Sequence, residues 1–185
     1  QRACAIREYI RPYVEPDEHV LDLQNCSYPI HSLYLDTPTL VLYRQTTQGL
    51  KNRFKLRVRF YDDDPAHPAF LEVKRRLNDA IRKERAAIGR AGVERLLRGR
   101  TLDPSDLIPA NGKGRAGSVL ERFCHLVQEL GAQPTAYVSY VREAYVSPGS
   151  DQLRVTFDRQ LRGATFDWRT GLSPPTTGVA ANVHG

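Results

Sequence analysis

The sequence predicts an α+β fold built mainly from antiparallel strands. Several segments alternate apolar and charged residues with a period of two, and helical spacing of apolar residues is confined to short pieces between them. At 185 residues, 41% of them hydrophobic, the chain fits one domain with a real core.

Residues 3–14 read as an amphipathic helix, with Ile6, Tyr9, Ile10 and Val14 at helical spacing, cut short by Pro12 and Pro16. The apolar run Ile30 to Leu35 is β-prone and ends at Asp36-Thr37-Pro38. Asp or Thr before Pro is a helix start, its side chain accepting from free N–H groups, so a short helix carrying Leu40, Leu42 and Tyr43 follows. From Asn52 the period changes to two: Phe54, Leu56, Val58 and Phe60 alternate with Lys55, Arg57 and Arg59. After the Asp62 to Pro68 loop, residues 69–76 form a second such strand with Leu71 and Val73 opposite Glu72 and Lys74. Asn78-Asp79 turns the chain, and in residues 80–88 Ile81, Lys83 and Arg85 share one face.

Val93 to Leu97 reads as a short helix between glycines, and Asn111 to Gly117 as a flexible loop. Ser118 to Leu130 is an amphipathic helix closed by Gly131. Strands resume over residues 135–146, alternating Val138, Tyr140 and Arg142 with Tyr137, Ser139, Val141 and Glu143. Residues 152–161 set Leu153, Val155 and Phe157 opposite Arg154, Thr156 and Asp158, and residues 165–169 would add one short strand. The Pro/Thr/Gly/Ala-rich stretch 173–185 reads as a flexible tail after a domain spanning 1–172.

Charge narrows the function. Lys and Arg total 27 against 21 acids, and a basic balance favours polyanionic partners. No stretch approaches the roughly 20 apolar residues of a membrane span, and the scattered charges of residues 1–14 do not form a signal peptide. Three separated cysteines, Cys4, Cys26 and Cys124, imply reduced thiols and a cytoplasmic setting. The absence of any Met, including an initiator, is expected of a piece of a longer chain.

The informative feature is repetition. Lys55, Arg57 and Arg59 occupy one alternating face, and Lys74, Lys83, Arg85, Arg142 and Arg154 extend the set over four other strands. Cations on the wet side of a single strand need no ligand. Five such strands repel one another unless an anion compensates, and the clearest acids on those faces are Glu72 and Asp158. Phosphate would supply the missing charge through guanidinium forks and ammonium contacts. If the sheet closes, these side chains converge on a lumen, where they could also stabilise charge in phosphoryl transfer.

Three segments then carry a resemblance: Ser32-Leu33-Tyr34-Leu35-Asp36-Thr37-Pro38, Leu42-Tyr43-Arg44, and Asn52 to Arg59. Phe70 to Arg76, Ile81 to Ala86, Tyr140 to Tyr145 and Leu153 to Asp158 follow in the expected order. Over about residues 1 to 170 the chain resembles the VTC (vacuolar transporter chaperone) domain of the triphosphate tunnel metalloenzyme superfamily. The resemblance implies an antiparallel β-barrel, the triphosphate tunnel, with flanking helices. It also implies a polyphosphate polymerase moving the γ-phosphate of ATP onto a growing chain with Mn²⁺ or Mg²⁺; relatives hydrolyse triphosphates. Arg57, Arg59, Lys74, Lys83, Arg142 and Arg154 match the catalytic phosphate-gripping positions and Tyr140 a tunnel-wall position. Strand alternation adds Lys55 and Arg85 as substrate contacts and Glu72 as a metal candidate. The family pattern has a further strand ahead of the first helix and later strands bearing a metal-binding Glu and another Lys. None is found here, so the barrel is expected to be incomplete at both ends.

Other chemistries find little support. His31, His67 and His125 have no zinc-ligand spacing, no Ser or Cys sits in a nucleophile motif, and no P-loop is present. The expected partners are ATP or triphosphate and polyphosphate; a membrane-associated partner is compatible with the chain. Nucleic acid is not expected, because Tyr140 is the only obvious aromatic read on the basic faces, whereas single-strand binders interleave aromatics with cations. A triphosphatase or a non-catalytic polyanion binder is the alternative.

Overall fold

Among the described residues the chain forms eight antiparallel strands in one sheet and four α-helices. The computed structural model describes residues 2–18, 26–109, 113–169, 171–172 and 179–180. In chain order the elements are α1 (Arg2–Ile10), β1 (Glu15–Pro16), β2 (Ser27–Asp36), α2 (Val41–Thr47), β3 (Asn52–Phe60), β4 (Ala69–Leu77) and β5 (Ala80–Ile88). There follow α3 (Arg90–Leu97), α4 (Lys113–Leu130), β6 (Gln133–Ser147), β7 (Ser150–Thr165) and β8 (Val179–Ala180). The sheet runs β5-β4-β3-β2-β6-β7-β8, with β1 pairing the far end of β6.

The expected barrel is not closed. Among the described residues β5 and β8 remain the two edges of an open sheet. The strand period still sorts the two faces as expected. Leu33, Leu56, Val58, Phe60, Leu71, Val73 and Ile88 are fully buried on one face, where Val93 of α3 and Leu120 and Phe123 of α4 join them in a single core. The other face carries the cations.

Local chemistry explains most boundaries. Asp36 accepts from the backbone N–H groups of Leu42 at 2.9 Å and Tyr43 at 2.8 Å, while the Thr37 hydroxyl accepts from Val41 at 3.0 Å. The predicted cap therefore exists, but the helix it caps begins at Val41, after a left-handed Leu40. Gly131, at φ 57°, closes α4 in a conformation that needs no Cβ. In α3, Gly92 is required by packing, since a Cβ there would lie 2.9 Å from the Asp106 carboxylate.

Four expectations are corrected. First, α1 ends at Ile10 and buries no residue; Ile6 and Tyr9 are exposed. It is held instead by Arg7, whose guanidinium reaches Glu143 at 2.9 Å and lies over the Phe157 ring. Second, residues 113–117, read as loop, are the first turn of α4, because the buried Val119, Leu120 and Phe123 anchor the helix through its glycines; 111–112 lie outside the described residues. Third, no separate strand forms at 165–169. β7 instead runs unbroken to Thr165 with an irregularity opposite Ser139–Val141, where Gln160 has φ 54°. Fourth, within the predicted tail, Val179 and Ala180 pair with Gly163 and Arg162; the remainder of 173–185 lies outside the described residues.

Candidate functional site

The antiparallel register turns the alternating cations into rows that cross the sheet. Residues directly opposite each other share a face. One row reads Tyr34, Arg57, Glu72 and Arg85 across β2 to β5. The next toward the β4–β5 turn reads Lys55, Lys74 and Lys83, and on the other side Ser32 faces Arg59, which faces Phe70. Across β6 and β7, Arg142 lies opposite Asp158, and Arg154 opposite Val146 on the same side.

Glu72 is the centre of this face. It is 1% exposed, and Arg57 Nε lies 2.6 Å from its Oε2. Arg59 approaches the same oxygen at 4.0 Å, while Lys83 Nζ and Arg85 Nε stand 3.3 and 3.7 Å from Oε1. Oε1 nevertheless receives no well-aligned hydrogen bond. Burial would raise the pKa of this carboxyl, but Arg57, Arg59 and Lys83 outweigh it and hold it below the usual range. Arg57 also donates to the Tyr34 hydroxyl at 3.3 Å, and burial notwithstanding, Glu72 and Tyr34 raise its pKa.

Arg59 extends the grip sideways, with Nε 3.3 Å from the Ser32 hydroxyl and Nη2 3.5 Å from that of Tyr140. Tyr140 has its pKa raised by burial, although Arg59 and Arg142 pull the other way. The Arg142 guanidinium forms a two-pronged pair with Asp158, both contacts 2.7 Å, which raises its pKa; it also lies over the Tyr140 ring. Arg154 meets Asp17 at 2.9 Å. Arg85 packs over the Phe70 ring at 3.5 Å and donates to the Tyr61 hydroxyl.

The predicted residues therefore share one face, in two groups. Lys55, Arg57, Arg59, Glu72, Lys74, Lys83, Arg85 and Tyr140 form the central set, and Arg142 and Arg154 flank it toward β7. Eight cations are met by three acids, Glu72, Asp158 and Asp17, leaving an excess of five positive charges. The Lys55–Lys74–Lys83 row has no acid in line with it, although Lys83 also reaches Glu72 of the neighbouring row.

The face is also more aromatic than its sequence reading. Register places Tyr34, Tyr28 and Phe70 on it, and Tyr61 joins Tyr28 and Phe70 with ring centroids 5.8 and 5.7 Å away. Tyr140 is not the only aromatic among the cations, so scarcity of rings is no ground for excluding bases. The signal was present in β2, where Tyr28, Ile30, Ser32 and Tyr34 alternate with His31, Leu33 and Leu35, but a nearly continuous apolar run hid the period.

Metal ligation fits less well. A carboxylate ringed by four cations is a poor seat for a divalent ion, and the described residues hold no cluster of three or more His, Cys, Asp or Glu side chains. Asp36 spends both oxygens on the α2 cap.

A match to the VTC domain model spans residues 1–179. The chain belongs to the VTC domain family. No curated protein matches it. Among solved structures, the VTC domain here is similar to a putative adenylate cyclase from Bacillus halodurans, at 10% identity and a TM-score of 0.46. That match covers 85% of this chain and 66% of the other. No helix among the described residues is long and apolar enough to cross a membrane.

Proposed function

We propose that this VTC domain grips the phosphates of a triphosphate or polyphosphate on the β2–β6 face and acts as a phosphotransferase, passing the γ-phosphate of ATP to a polyphosphate chain. The observation that carries the reading is the Lys55–Lys74–Lys83 row beside the Glu72 hub. Like charges set directly opposite on three strands are unfavourable unless an anion lies across them.

In this reading Arg57 and Arg59 are aimed by fixed partners, Glu72 and Tyr34 for one, Ser32 and Tyr140 for the other, so that their free N–H groups meet phosphate oxygens with little loss of side-chain freedom. Lys74 and Lys83, both more exposed than Arg57 and Arg59, would follow the charge that shifts between donor and acceptor oxygens during transfer. Arg142 and Arg154 would hold the next phosphates along. Lys55, Arg85 and Tyr140 are assigned to substrate contact. Mn²⁺ or Mg²⁺, expected for the family, would arrive coordinated by the phosphate oxygens rather than by Glu72.

The test is incubation of the full protein with ATP and Mn²⁺. Polyphosphate as product supports the polymerase. Free phosphate alone replaces it with a triphosphatase using the same grip, and tight tripolyphosphate binding without turnover leaves a binding module.

A further inference from the structure

Beside the cationic face lies a cavity of about 740 Å³ whose walls are mostly apolar. Leu42 and Tyr43 of α2, Ala136 and Val138 of β6, and Gly163 of β7 contribute to it, as does Lys55 of β3. Tyr34 belongs to both places, since it lines the cavity and its hydroxyl accepts from Arg57. Such walls suit no part of a polyphosphate chain, because phosphate oxygens would be stripped of water there without enough cations to replace it. They suit a ligand with one apolar, aromatic end and one anionic end.

We infer that this cavity seats the nucleoside of a nucleoside triphosphate, whose phosphates run past Tyr34 onto Arg57 and Arg59. The inference rests on the phosphate-binding reading and adds a direction to it, with the base at the α2 side and the terminal phosphate toward Tyr140 and Arg142. Tyr43, 61% exposed on α2, is available for stacking on a base. The aromatic group at the other end of the face does not compete for it, because Tyr28, Tyr61 and Phe70 already pack edge-on against one another and Arg85 covers Phe70. Ala136 and Gly163 leave the room: a Cβ at Gly163 would meet only the Tyr137 carbonyl, at 3.9 Å.

The experiment compares ATP with inorganic tripolyphosphate by titration calorimetry on the full protein and two variants. Gly163→Leu fills the cavity from a position without backbone strain, and Tyr43→Ala removes the exposed stacking ring. Both are expected to weaken ATP by about tenfold, the range of one lost base–aromatic stack, and to leave tripolyphosphate within about twofold. ATP binding unchanged in both variants, or ATP and tripolyphosphate weakened alike, overturns the inference and leaves phosphate binding standing. A wild-type protein that ignores tripolyphosphate altogether overturns the phosphate reading, and the inference falls with it. Tyr43 is 61% exposed, so the result of Tyr43→Ala stands even where Gly163→Leu folds poorly.

Discussion

Arg57 and Glu72 face each other across the β3–β4 ladder at 2.6 Å, and the carboxylate of that pair is the one acid at the centre of a crowd of cations. Its depressed pKa keeps it anionic at neutral pH and well into the acid range. The pair is thus a fixed support for the phosphate grip.

Glu72→Gln should remove that support. Leaving Arg57, Arg59, Lys83 and Arg85 around a neutral amide is expected to cost on the order of 3 kcal/mol, as when one partner of a buried ion pair is lost. Tripolyphosphate should then raise the unfolding midpoint of the variant by more than it raises that of wild type. Equal shifts in thermal melts would remove Glu72 from the account.

Arg57→Ala combined with Arg59→Ala deletes two charge-assisted contacts, each worth about 1.5–3 kcal/mol. Affinity for tripolyphosphate should fall by at least about 100-fold with the far-ultraviolet dichroism preserved. Normal binding by the double variant would mean that the ligand lies elsewhere.

Lys74→Gln probes the lysine row, in which Lys83 already reaches Glu72 at 3.3 Å. Relieving repulsion between Lys55, Lys74 and Lys83 should stabilise the ligand-free protein by roughly 0.5 kcal/mol while weakening tripolyphosphate binding. Opposite signs in urea unfolding and in binding are the signature of a residue placed for function. A variant that loses stability contradicts the assignment.

Much of this arrangement was legible in the sequence, for a physical reason. β3 alternates strictly, so Arg57 and Arg59 could be placed on one face without knowing their neighbours. Glu72 could likewise be assigned to the face of Lys74. Pairing partners could not be read, because register depends on contacts between distant segments. The Lys55–Lys74–Lys83 row and the Tyr140–Arg59 contact emerge only when β2 to β6 are aligned. Asp17 was missed because β1 is two residues long, and Tyr34 because the apolar run of β2 masks its period. The open sheet was anticipated only as an incomplete barrel, since closure is a property of strand ends and not of strand pattern.

His31 offers a pH-dependent test in the core. It is stacked on Phe60 at 5.2 Å, its Nδ1 lacks a partner, and burial lowers its pKa. The unfolded chain therefore takes up a proton at higher pH than the folded one, and stability from this group is present above about pH 6.5 and lost as pH falls toward the folded pKa. His31→Phe should gain stability relative to wild type between pH 7 and 5 and show little change in that difference above pH 8. Parallel urea-unfolding profiles across this range would contradict it.

Arg7→Ala should free α1 without unfolding the sheet. The helix buries nothing, and its anchors are the ion pair to Glu143 and the contact with Phe157. Amide exchange over Arg2–Ile10 should lose protection while global stability changes by about 1 kcal/mol or less. Glu143 keeps Arg159 at 2.7 Å, which limits the damage.

The open β5 edge has a consequence for how copies of the chain meet. A nine-residue edge strand, covered only at its end where Ile108 N–H donates to Ala87 O and Ile88 bridges Leu107, is a template on which another strand could add. Here Arg82, Lys83 and Arg85 sit within it, so two such edges brought together would set cation against cation along the seam. The charges arranged for phosphate thus double as a guard against self-association. A polyanion that neutralises them would lower that guard, coupling ligand occupancy to the colloidal behaviour of the protein.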